Sequence, residues 1–122
     1  MEDYWIKNVY AAVRDISDLK LQKETWLGNA DNRVSSFDEM INTLYDDNCF
    51  EDFLAVNEWN KQNSLGDLHQ ELLSLGEMID AFEEPASDAQ ILTDAGWKKI
   101  TEQAKRAIKV WDHSALSIYQ AT

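Results

Sequence analysis

An all-α fold, a single-domain bundle of about five to six helices over residues 1–122, is predicted by three observations. One proline and four glycines leave few breaks in the chain. Apolar residues recur three and four positions apart almost throughout, and no stretch alternates apolar and polar with the period of two that a half-buried strand shows. Five Trp, four Tyr and four Phe supply enough apolar surface for one core.

The elements follow in order. From Tyr4 to Ile16 the large residues Trp5, Val9, Val13 and Ile16 define one amphipathic helix, with Tyr10 beside the stripe. Asp18 is placed to cap a second helix through Leu19, Leu21, Trp26 and Leu27, closed by Gly28-Asn29, and Asn29 to Ser35 reads as a loop. Ser36-Phe37-Asp38-Glu39 has the Ser-x-x-Glu form in which the first turn satisfies its own free donors, so a helix with the stripe Phe37, Met40, Ile41, Leu44 and Tyr45 starts there. Asp46-Asp47-Asn48 should interrupt it, because short acceptors compete with the helical backbone, and Asn48 or Asp47 is the expected cap of a short helix carrying Phe50, Phe53 and Leu54.

Asn57 to Asn63 is polar and is expected to be irregular. From Ser64, Leu65, Leu68, Leu72, Leu75, Ile79 and Phe82 follow helical spacing until Pro85, which marks either a core helix or a dimer seam. Gly76 within this helix points to the close approach of a neighbour or a local kink. Ser87 opens a short turn through Ile91 and Leu92, and Thr93 or Asp94 opens a last long helix. That helix is lined by Trp97, Ile100, Ala104, Ala107, Ile108 and Trp111, with Lys98, Lys99, Lys105, Arg106 and Lys109 on its other sides. Residues 113–122 either add a weak turn through Leu116, Ile118 and Tyr119 or fray.

Charge is segregated along the chain. Residues 35–60 hold seven acids and no base, and residues 61–86 hold six acids against Lys61 alone, so this middle accounts for the whole net charge of −12. Such a field repels phosphate backbones and anionic lipid and attracts basic protein surfaces. Direct nucleic-acid and membrane binding are therefore not expected. No apolar run approaches the roughly 20 residues that span a bilayer. The acidic, aromatic first residues do not resemble an export signal, and the cytoplasm is the expected location.

Motifs that carry chemistry are missing from the sequence. His69 and His113 stand far apart without ligand spacing, and the acids around Asp46 do not follow a calcium-loop pattern. There is no phosphate-binding glycine loop and no nucleophile elbow. Cys49 is the only cysteine and is expected to be an inert, semi-buried thiol. The chain is accordingly read as a binding protein rather than an enzyme, with no metal and no cofactor. Four tryptophans, Trp5, Trp26, Trp97 and Trp111, sit on or beside apolar stripes and read as core. Trp59, among polar neighbours, is either a partly exposed anchor for a protein partner or a loop residue folded back over the core.

The stretches Trp26-Leu27-Gly28-Asn29, Val34-Ser35-Ser36-Phe37, Tyr45-Asp46-Asp47 and Phe50-Glu51-Asp52-Phe53-Leu54, with Ile91-Leu92-Thr93-Asp94 and Trp97-Lys98-Lys99-Ile100, resemble small helical bacterial immunity proteins of polymorphic and contact-dependent toxin systems. The resemblance implies a cytosolic, acidic protein that neutralises a cognate toxin with a basic surface, often a nuclease, by covering its active site or a nearby surface. It assigns no residue roles. Charge and aromatic placement nominate Asp38, Asp46, Asp47, Glu51, Asp52, Glu58 and Trp59 as the partner-binding surface. Two rival readings stand beside it. One is a self-associating helical adaptor, a homodimer joined through the Leu65 to Phe82 stripe. The other is a small enzyme using a carboxylate pair.

Overall fold

A computed structural model describes residues 2–26 and 36–119. It contains α1 (Asp3–Ile16), α2 (Leu19–Trp26), α3 (Phe37–Asn42), α4 (Phe50–Ala55), α5 (Asn63–Ala81), α6 (Asp88–Thr93) and α7 (Ala95–Asp112), and no strand occurs among the described residues. The all-α bundle is as expected, with one helix more than anticipated because the segment expected as a short turn through Ile91 and Leu92 is a helix, α6. The expected Gly28-Asn29 closure and the loop from Asn29 to Ser35 lie outside the described residues.

Local chemistry sets most helix starts. Asp18 Oδ1 accepts from the Leu21 amide at 3.0 Å, Ser36 Oγ from Glu39 at 3.1 Å and Ser87 Oγ from Gln90 at 3.3 Å. Asp94 Oδ1 takes both Gly96 and Trp97 amides, at 2.8 and 3.2 Å. Each cap satisfies donors that a helix cannot pair internally, worth about 1 kcal/mol.

The two long helices, α5 and α7, pack side by side, and α1 lies against α7. Val9, Val13 and Ile16 of α1, Leu68, Leu72 and Leu75 of α5, and Trp97, Ala104, Ala107 and Trp111 of α7 are fully enclosed. The leucine stripe is therefore core, and the dimer-seam alternative for it is set aside. Gly76 fits the close-approach reading: a Cβ there would stand 3.4 Å from Phe50 and 3.7 Å from the Tyr45 hydroxyl.

Two aromatic clusters join the helices. Trp26, Phe37, Phe82 and Trp97 meet with centroids 5.3 to 6.0 Å apart. Phe53 touches Trp5, Trp59 and Trp111 at 5.3, 5.4 and 6.1 Å. Helix α4 has six residues, too few to persist alone, and Phe50 and Phe53, both fully buried, pin it.

Gln22, invisible to the apolar pattern, is 0% exposed. Its Nε2 donates to the carbonyls of Asp15 and Ile16, both at 2.9 Å, and its Oε1 accepts from Trp97 Nε1 at 2.8 Å. One amide thus closes the end of α1 and ties α2 to α7. Gln103 plays a similar part between the long helices, donating to the Glu71 backbone at 2.9 Å and its carboxylate at 2.7 Å.

Four local expectations are corrected. The Asp46-Asp47-Asn48 break is a π-helical turn, Thr43–Asp47, continuing α3. It closes on Asn48, whose amide and side-chain Nδ2 both donate to the Thr43 carbonyl, at 3.1 and 2.7 Å. With the Asn48 side chain so engaged, neither it nor Asp47 caps α4; the cap position falls to Cys49, in the left-handed region at φ 49° and ψ 55°. Residues Asn57–Asn60 form a 3₁₀ turn rather than an irregular segment, and α5 starts at Asn63. Finally, α5 ends at Ala81, ahead of Pro85, because Phe82 turns extended and carries its ring into the aromatic cluster. Past α7, Leu116 is buried and its carbonyl accepts from Trp111 Nε1 at 3.4 Å, while Ser117–Tyr119 makes a 3₁₀ turn.

Cys49 is exposed, not semi-buried, and its thiol makes only a long 3.8 Å contact to the Asp46 carbonyl. A side chain in the left-handed region costs about 1–2 kcal/mol, and glycine escapes that cost while adding backbone entropy to the unfolded chain. Cys49→Gly is expected to raise stability by about 0.5–1 kcal/mol, read as a higher urea midpoint at unchanged slope.

Candidate protein-binding surface

The acid-rich segment is laid out by α3, the π turn and α4. Asp38 is exposed on the first turn of α3, Asp46 and Asp47 on the π turn, and Glu51 and Asp52 on the first turn of α4. Carboxylates in first turns also complement the positive end of the helix dipole, so these positions are locally comfortable as well as available.

The fold does not gather them into one patch. Asp47 and Asp52 line an open groove of about 680 Å³ whose other wall is the start of α1, with Glu2, Tyr4, Trp5 and Asn8. Glu51 faces elsewhere, beside Tyr45, Asp80 and Glu84, in a smaller hollow of about 330 Å³. Glu58 borders a third, with Lys61, Gln62 and Ile118. Asp38 and Asp46 are exposed and line none of these three hollows.

Trp59 is not an exposed anchor. It is 3% exposed, donates its indole N–H to the Phe53 carbonyl at 3.1 Å, and stacks on His69 at 5.0 Å with planes 9° apart. His69 is held in turn by Nε2 donating to the Leu54 carbonyl at 2.9 Å. Of the two readings open for Trp59, the loop residue folded over the core is the one realised, because α5 presents an imidazole for the indole to stack on.

The groove's geometry comes from a contact across 43 positions of sequence. Trp5 Nε1 donates to the Asn48 carbonyl at 2.6 Å, and the ring stands edge-on to Phe53. Asn48 is itself fixed to Thr43, so the aromatic wall from α1 and the acid-bearing corner of the π turn and α4 are locked together. Tyr4, at 66% exposure, is one of the large exposed apolar side chains. Glu2, Tyr4 and Asn8 were not among the residues the sequence nominated. The available signal was Tyr4 itself, a large aromatic adjacent to the helix stripe but off it.

No protein-family model, curated protein or solved structure matches the chain. Among the described residues, no group of three or more His, Cys, Asp or Glu side chains is placed to hold a metal ion. Nor is any helix long and apolar enough to cross a membrane.

Among the described residues, three groups have displaced titration. A hydrogen bond from Lys61, at 2.8 Å, holds the Glu58 carboxyl below its usual range, opposite to the shift a general acid needs. Tyr45 is pushed well up by burial and then by the nearby charges of Asp80 and Glu51; its hydroxyl lies 3.5 Å from both Asp80 Oδ1 and the Gly76 carbonyl. Tyr10 is raised by burial and by its 3.0 Å hydrogen bond to Asp112, against a smaller opposing effect of Arg14.

Both tyrosines stay protonated in the fold after the unfolded chain begins to ionise near 10.0. Their stabilising contribution is full below about pH 10 and is lost as pH rises toward their folded values. Stability should fall on the alkaline side of pH 10, and Tyr10→Phe with Tyr45→Phe should flatten that fall. Urea midpoints across the alkaline range check this; an equal slope in the double variant would assign the loss to other groups.

Proposed function

We propose that the protein binds and neutralises a cognate toxin that presents a basic surface, most readily a nuclease, in the cytoplasm and without catalysis of its own. The observation that carries this reading is the segment 35–60, which has no basic residue and displays the exposed carboxylates of Asp38, Asp46, Asp47, Glu51 and Asp52. A nuclease cleft is basic because it binds phosphate, and an acidic surface offered to it competes with the substrate by the same electrostatics. Opposite charge accelerates encounter, and desolvated aromatics at the contact slow release. Groove residues Tyr4 and Trp5 supply aromatic surface beside the acids.

The alternative of an adaptor that self-associates through the leucine stripe loses its surface, since Leu65, Leu68, Leu72 and Leu75 are consumed in the core. A homodimer would have to form through another face.

Co-expression with the product of the adjacent reading frame is the deciding experiment. A stable complex, together with loss of the partner's toxicity or nuclease activity, is the expected result. Replacing Asp46, Asp47, Glu51 and Asp52 by Ala or Lys should weaken the complex and reduce its salt dependence while leaving the helical signal unchanged. Absence of both complex and protection overturns the reading.

A further inference from the structure

The groove between the start of α1 and the corner formed by the π turn and α4 has a composition more specific than the acidity around it. Three carboxylates line it, from three different elements: Glu2 preceding α1, Asp47 on the π turn and Asp52 on α4. Among the described residues, no basic side chain lines it and none of the three carboxylates is paired with a cation. The rest of its lining is Tyr4, Trp5, Asn8, Asn48, Cys49 and Val56. The Trp5 indole N–H is spent on the Asn48 carbonyl, so the tryptophan offers its ring to a ligand and not its donor.

We propose that this groove is a receptor for an arginine side chain of the protein partner, an inference that rests on the toxin-neutralising reading and gives it a location. Carboxylates on several sides with aromatic surface suit a guanidinium in particular. It is planar, spreads five donors in a fixed fork, stacks on aromatic faces and is more weakly hydrated than an ammonium. The two walls of the groove are tied together before binding: Asn48 is fastened to Thr43 by two hydrogen bonds, and Trp5 is fastened to Asn48 and set edge-on to Phe53. The ordering left for the ligand to meet is that of the exposed carboxylates and Tyr4, not of the walls that carry them. By contrast, Asp38 and Glu39 on α3 share the acidity and the exposure but line no such groove.

The test is a titration of the isotopically labelled full chain with a capped Gly-Arg-Gly peptide, and with its lysine and citrulline counterparts, followed by amide and indole resonances. Shifts are expected to concentrate on the Trp5 indole, Asn8 and residues 47–52, with arginine binding tighter than lysine and citrulline weakest. Asp47→Asn with Asp52→Asn should weaken the arginine peptide about tenfold, at about twofold to fivefold for each exposed charge contact. Tyr4→Ala should weaken it by a similar single step, and Asp38→Asn with Glu39→Gln should leave it unchanged. Circular dichroism checks that the variants keep their helix content.

Shifts spread evenly over all the acids, or equal losses in the α3 variant, would show a diffuse field and overturn the pocket. In the co-expression assay, undiminished neutralisation by the Asp47→Asn, Asp52→Asn variant also overturns the pocket, while leaving the toxin-neutralising reading in place. An arginine peptide held in the groove of a protein that neutralises no toxin does the reverse: that reading falls, and with it the identity of the partner, though the groove's selectivity stands.

Discussion

Leu72→Glu is expected to unfold the protein. Leu72 is fully enclosed on α5, in the helix that packs against α7. Substitution removes the burial of a leucine, worth about 2–5 kcal/mol, and places a carboxylate in the apolar core. The combined cost approaches the whole stability of a domain of this size, about 5–15 kcal/mol. Helical circular dichroism should collapse at room temperature, with sedimentation showing expanded or aggregated chains. A folded monomer that merely loses a dimeric state would mean that the stripe is a surface after all, and the packing of α5 described above would be wrong.

Gln22→Leu is expected to cost about 2–4 kcal/mol although it replaces a polar residue by an apolar one of similar size. The substitution cannot replace any of the three hydrogen bonds to Asp15, Ile16 and Trp97. It leaves the indole N–H of Trp97, itself fully buried, without its acceptor, and the Ile16 carbonyl without its donor, while the Asp15 carbonyl keeps the Asp18 amide at 3.2 Å. Each orphaned group costs about 1–3 kcal/mol, and the added apolar burial returns only part of the sum. Gln22→Glu would restore an acceptor for Trp97 while removing both donations and adding charge, so it should be no less damaging. The readouts are the urea midpoint and the exchange of the Trp97 indole proton, which should quicken. A change below about 1 kcal/mol would show that the amide is a passenger rather than a junction.

The candidate surface was only partly legible in the sequence. Asp47 and Asp52 were nominated by charge alone, and the fold brings them together with Glu2, just ahead of α1, and with Tyr4 and Asn8 on it, 39 or more positions away. Glu51 and Glu58 shared the same charge signal and ended in other hollows, because Glu51 and Asp52, adjacent on α4, fall on different faces and Glu58 sits on the 3₁₀ turn beyond it. The extra residue per turn of the π segment was not readable from three consecutive acceptors. It depends on Asn48 reaching back to Thr43 while its carbonyl meets Trp5.

What the sequence determined by itself was the helical class, most helix starts and the principal buried stripes. Those features depend on residues within about four positions of one another: the spacing that makes one face apolar, and short side chains that reach the free amides of the next turn. Only the tertiary structure decided that the leucine stripe is core rather than seam, that Trp59 lies beneath His69 instead of facing a partner, and that Gln22 belongs inside. Burial of a polar or amphipathic side chain depends on which distant groups can satisfy its hydrogen bonds and stack on its ring, and those partners are set by how the helices pack.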